Sequence, residues 1–107
     1  MNEEEFKREY DGVLNELGFV YGRGREKGYN AGENYKVLIY IDKGLGIPMQ
    51  IVFYFYQGNE LGKIRFMYDT GKYASKGIWD IKIKDFSNME DLIFYLKEHK
   101  KDGEYKF

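Results

Sequence analysis

A hydroxyl or thiol nucleophile needs a base to take its proton, most often a histidine oriented by a carboxylate. The chain offers one histidine, His99, with serines only at Ser75 and Ser87, a single threonine, Thr70, and no cysteine. His99 falls one turn beyond Leu96 on the closing helical stripe, a helix-end position beside the core edge. One histidine and no cysteine leave no recognisable zinc spacing. The 18 acidic residues contain neither the alternating oxygen ligands of a calcium loop nor a nucleotide-binding motif. No catalytic constellation, metal site or cofactor is expected, and the chain is read as a non-enzyme.

Two short segments invite chemistry and fail on context. Asp69-Thr70-Gly71 follows an apolar strand, as the aspartic-protease triplet does. That family places the triplet early in an all-β chain, whereas here it comes late and lies between two helical segments, so it reads as a strand end and turn. Gly22-Arg-Gly-Arg-Glu-Lys-Gly28 brings Arg23, Arg25 and Lys27 among glycine amides that could hold an anion. It does not open a helix after a strand, as the phosphate-binding loops must, so a flexible connection is the first reading and an anion-binding loop the second.

The elements that position these residues follow from periodicity. Phe6, Tyr10, Val13, Leu14 and Leu17 recur at helical spacing and Gly18 stops the run. Phe19 to Tyr21 starts a short strand, and 22–34 reads as a glycine-rich loop. Tyr35 to Asp42, Met49 to Gln57, Gly62 to Asp69 and Ile78 to Lys84 are β-branched and aromatic runs separated by turns, of which Gln57-Gly58-Asn59-Glu60 is the clearest hairpin. Pro48 suits a strand start. Ser87 and Glu90 form a capping-box pattern ahead of Met89, Leu92, Ile93 and Leu96. Asp102 to Phe107 is expected to fray unless Tyr105 or Phe107 docks.

The fold class expected is α+β: one domain over 1–107, with an antiparallel sheet of four or five strands and the N-terminal and C-terminal helices packed on one face. Alternation assigns Val37, Ile39, Ile41, Ile51, Phe53, Phe55, Ile64, Phe66, Tyr68, Trp79, Ile81 and Ile83 to the covered face. The open face then carries Tyr40, Tyr54 and Tyr56 interleaved with Lys63, Arg65, Lys82 and Lys84.

Composition bounds what that face does. Hydrophobic residues at 43% and charged residues at 33% supply enough apolar surface for a core. The charge of −1 divides into acidic ends and a basic middle, so only a local basic face is expected. The acidic N-terminus has no signal-peptide pattern and no apolar run approaches the ~20 residues of a bilayer span, which points to the cytoplasm and to no membrane partner. Phe, Tyr, Met, Ile, Asn and Lys make up 51 of 107 residues, a bias that AT-rich codons produce. The expected function is a non-enzymatic protein-binding module, a small inhibitor or immunity-type protein of a low-GC bacterium, phage or mobile element. The alternative is single-stranded nucleic-acid binding, with the tyrosines stacking bases and the cations of the open face, assisted by Arg23, Arg25 and Lys27, meeting phosphates.

Overall fold

The computed structural model describes residues 1–29, 33–44, 47–56 and 60–107, and within these the side chains of all but 23–29, 33 and 34. The chain is an α+β fold, as the sequence predicts: a five-stranded antiparallel sheet with a helix from each end of the chain. Helix α1 spans Glu3–Glu16. Its cap is Asn2, whose side chain accepts from the Glu5 amide at 2.9 Å, and Glu3, Glu4 and Glu5 fill the first turn where the helix dipole favours negative charge. Gly18, at φ 97, turns the chain into the sheet.

The strands are β1 (Phe19–Tyr29), β2 (Glu33–Asp42), β3 (Met49–Tyr56), β4 (Glu60–Asp69) and β5 (Ile81–Phe86), hydrogen-bonded in that order. Strand β1 departs most from expectation. Beyond Tyr21 the backbone does not leave the sheet but continues as strand, with Arg23, Arg25 and Lys27 opposite Ile39, Val37 and Tyr35. The apolar run of β2 offers a full ladder of partners, which outweighs the weak strand propensity of Gly24 and Gly28. A register shift between Tyr21 and Arg23 falls at Gly22, where an added Cβ would press on the Ile39 carbonyl and the Ile41 side chain. Pro48 stands just before β3, as expected. The Gln57-Gly58-Asn59 turn lies outside the described residues, but its flanks pair as a hairpin, Tyr56 opposite Glu60.

Both helices pack on one face. Phe6, Leu14 and Leu17 from α1 and its cap, and Met89, Leu92 and Leu96 from α2 (Met89–His99), share one cluster with Leu38, Tyr40, Ile51, Phe53, Phe55, Ile64 and Phe66. Phe6 sits at its centre, 4.5 Å from the Phe53 ring and 5.6 Å from Phe55. The expected covered positions of β3 and β4 are confirmed, and those of β2 and β5 are not.

In β2, Leu38 and Tyr40 face the helices while Val37 and Ile39 face away and Ile41 is exposed there. The run Val-Leu-Ile-Tyr-Ile is apolar at every position, so alternation cannot choose its parity. Pairing chooses it: Leu38 lies opposite Phe53 and Tyr40 opposite Ile51. Tyr40 is therefore buried rather than displayed, and its hydroxyl donates to Asp11 Oδ1 of α1 at 2.8 Å. Lys36, on the same side, reaches Glu3 at 3.4 Å.

The cap of α2 is Asn88, one residue after the expected Ser87, and it accepts from the Asp91 amide at 2.9 Å. The C-terminal segment docks. It forms a small hairpin of β6 (Lys100–Lys101) and β7 (Glu104–Tyr105) around Asp102 and Gly103, both at positive φ, which suits an Asp-Gly turn. Tyr105 is buried in the helix-side core and its hydroxyl donates to the Leu17 carbonyl. Phe107 stacks on Tyr68 at 4.3 Å.

Burial holds two of these phenols protonated. It raises Tyr40, together with the hydrogen bond to the Asp11 carboxylate, and pushes Tyr105 up to about 12 from an ordinary value of 10.0. The folded state thus keeps protons that the unfolded chain releases, so this contribution to stability is complete below the unfolded value and is lost as pH rises toward the folded one. Denaturant melts at about pH 9, 10 and 11 should show stability declining with rising pH. Tyr105→Phe should make that decline shallower while costing about 1–3 kcal/mol at neutral pH through the orphaned Leu17 carbonyl. A decline unchanged in the variant would contradict the assignment.

Candidate functional site

The face away from the helices is covered by no element among the described residues. Its rows can be read from the register, because directly paired residues in adjacent antiparallel strands project to the same side. Ile41, Gln50, Met67 and Ile83 form one row across β2 to β5, and Ile39, Val52, Arg65 and Asp85 form the next. Val37, Tyr54 and Lys63 form a third. Tyr35 and Tyr56 flank Tyr54, with ring centroids 5.7–6.4 Å apart. Gly62 lets that aromatic group lie close to β4, since a Cβ there would overlap the Tyr56 ring.

Of the residues expected on this face, Tyr54, Tyr56, Lys63 and Arg65 are brought together on it. Tyr40 is not, being buried under α1. Lys82 and Lys84 are not either: they lie opposite Tyr68 and Phe66, on the helix side, and the Lys84 ammonium sits 5.3 Å from the Tyr95 ring of α2. In their place Ile81 and Ile83 project onto the open face, 47% and 55% exposed, with Trp79 67% exposed just before the strand. The side chains of Arg23, Arg25 and Lys27, the expected anion-binding group, lie outside the described residues, and their backbone belongs to β1 rather than to a loop.

The parity of β5 is set by two polar devices. Arg65 grips Asp85 directly opposite it with a fork of two hydrogen bonds, Nε to Oδ1 at 2.8 Å and Nη2 to Oδ2 at 3.0 Å. At the other end of the strand, the Asp69 carboxylate accepts from the Asp80 amide at 2.9 Å and the Gly71 amide at 3.3 Å, while Thr70 Oγ1 donates to Asp80 Oδ2 at 2.6 Å. The Asp-Thr-Gly triplet therefore ties a turn. His99 ends α2 with its ring between Tyr95 and Phe107 and its Nδ1 3.0 Å from the Lys106 carbonyl oxygen. Among the described residues no three His, Cys, Asp or Glu side chains converge as a metal site would require.

Among the described residues the ion pairs of the face gather at Asp85. The Arg65 hydrogen bonds hold the Asp85 carboxyl below its usual range, and the same contact raises Arg65. Lys63 also approaches Asp85, at 3.9 Å. The other described groups of the face are apolar and aromatic, with Ile41, Met67, Ile81 and Ile83 to one side of this cluster, Tyr54 and Tyr56 to the other, and Trp79 just before β5. The residues that sequence reasoning missed are the isoleucines and Trp79. The signal that could have found them is the Arg65 and Asp85 pair, since matching opposite charges across the last two strands fixes which side Ile83 takes.

Comparison of the chain with known protein families, with curated proteins and with solved structures found no match.

The Arg65 fork holds the Asp85 carboxyl below its usual range, so this contribution to stability is present above the unfolded value and is lost as pH falls toward the folded one. Asp85→Asn should make the loss of stability in denaturant melts at about pH 5, 4 and 3 shallower, and a profile unchanged in the variant would contradict the assignment.

Proposed function

We propose that the chain is a non-enzymatic protein-binding module, of the small inhibitor or immunity type and acting in the cytoplasm, that docks its partner on the open sheet face. The observation that carries this reading is the exposure of Ile41, Ile81, Ile83 and Trp79 on and beside one uncovered face, with Tyr54 and Tyr56 on the same face beyond the Arg65 and Asp85 pair. Large apolar and aromatic groups grouped on one surface are what a protein interface buries, and Trp, Tyr and Arg are the types that dominate binding energy there. The Arg65 and Asp85 pair on this face supplies orientation rather than net charge. Single-stranded nucleic acid is less well supported, because Lys82 and Lys84 lie on the other side and Lys63 and Arg65 approach Asp85, while the side chains of Arg23, Arg25 and Lys27 lie outside the described residues. No helix among the described residues is long and apolar enough to cross a membrane.

The test is an affinity capture from lysate of a low-GC bacterium, with and without nuclease, using the wild-type chain and the pair Ile41→Asp, Ile83→Asp. Both positions are exposed, so the variant should melt within a few degrees of wild type, as surface substitutions of roughly 0.5 kcal/mol do. A stoichiometric, nuclease-resistant protein held by wild type and lost from the variant is the expected result. Recovery of nucleic acid alone, lost with nuclease or raised salt, would overturn the proposal.

A further inference from the structure

We infer that the free edge of β5 takes up an extended segment of the protein partner as an added strand in which apolar and acidic residues alternate, an inference that rests on the protein-binding reading above. Strand β5 ends the sheet order, and an edge strand turns alternate N–H and C=O groups away from its single neighbour. Ile81 through Asp85 are all exposed. Backbone pairing would supply affinity there, and the side chains of β5 supply a code.

That code has two rows. Ile81 and Ile83 lie on the open-face side, opposite Asp69 and Met67, and Lys82 and Lys84 lie on the helix side, opposite Tyr68 and Phe66. The lysines differ from the other cations of the sheet. Lys63 and Arg65 approach Asp85 and Lys36 approaches Glu3, whereas among the described residues Lys82 has no ion pair and Lys84 meets only the Phe86 and Tyr95 rings. A strand with apolar residues toward the isoleucines and carboxylates toward the lysines would satisfy both rows, because opposite charges directly across a ladder stabilise it and like charges oppose it.

The same rule disfavours a second copy of this chain in the registers that bury Ile83 against an isoleucine. Either antiparallel register that matches Ile83 with an isoleucine of the copy, Ile81 or Ile83, sets Lys82 opposite Lys82 or Lys84. Asp91 and Glu98 of α2 line the hollow beside Lys84 with Phe94 and Tyr95, so the preference for acid belongs to the positions facing Lys82 and Lys84 and not to the field of that edge as a whole. Trp79, two residues before the strand and the one tryptophan of the chain, reports on occupancy.

The probes are two acetylated and amidated decapeptides, five Val-Glu repeats and five Val-Lys repeats, titrated against the full chain with Trp79 emission and amide exchange as readouts. The Val-Glu peptide should bind saturably, about tenfold more tightly than the Val-Lys peptide, and slow exchange at alternate amides of β5. The variant pair Lys82→Glu, Lys84→Glu should invert that preference while keeping the wild-type circular dichroism. Absence of saturable binding, equal affinities unmoved by the charge swap, or self-association of the chain with protection of β5 would each overturn the inference. A partner captured on the open face that leaves β5 exchange unchanged would overturn it too, and would leave the protein-binding reading standing.

Discussion

Two helices of 14 and 11 residues cover a five-stranded sheet, and both pack on the same side of it. Phe6 and Leu14 from α1 and Met89, Leu92 and Leu96 from α2 meet the inward residues of β2, β3 and β4 there, and the docked hairpin adds Tyr105. A sheet covered on one face is a stable α+β solution provided its other face tolerates water. Here the other face is only partly polar. Val37, Ile39 and Val52 are buried by their own neighbours, Tyr35, Tyr54 and Met67 among them, and Ile41, Ile81 and Ile83 remain exposed. The one-sided placement of the helices is thus the source both of the core and of the surface that the functional reading rests on.

Parity decides everything that follows, because a one-residue shift exchanges the two faces of a strand. Strands β3 and β4 declare theirs: Gln50 and Lys63 interrupt their apolar runs at positions that the structure leaves less buried. Strand β2 does not, since it is apolar throughout, and only the packing of Leu38 and Tyr40 against Phe53 and Ile51, with Asp11 as the acceptor of the Tyr40 hydroxyl, settles it. Strand β5 misleads, because Ile-Lys-Ile-Lys alternates cleanly while the edge of the sheet lacks the cover that makes an apolar residue turn inward. Its parity comes from partners distant in sequence, Arg65 with Asp85 and Asp69 with Asp80, which no local window contains.

The order of elements was legible from periodicity and turn residues, as were both helices and the covered positions of β3 and β4. The extension of β1 was not, because glycine lowers strand propensity and the ladder that compensates lies on β2. Four of the seven residues expected on the open face lie on it for the same reason: Tyr54, Tyr56, Lys63 and Arg65 sit on strands whose alternation is clear, and Tyr40, Lys82 and Lys84 sit on the two strands where it is absent or deceptive. The exchange changes the chemistry of the face. Among the described residues, Ile81 and Ile83 take the places on it that Lys82 and Lys84 were expected to hold.

The open apolar face requires that particular isoleucines meet water. Isoleucine methyl spectra recorded with a soluble paramagnetic agent, at a concentration where the chain is monomeric, measure this directly. The methyls of Ile41, Ile81 and Ile83 should broaden strongly while those of Ile51 and Ile64 remain sharp. Protection of Ile81 and Ile83 equal to that of Ile51 would place β5 with its isoleucines inward and contradict the open apolar face.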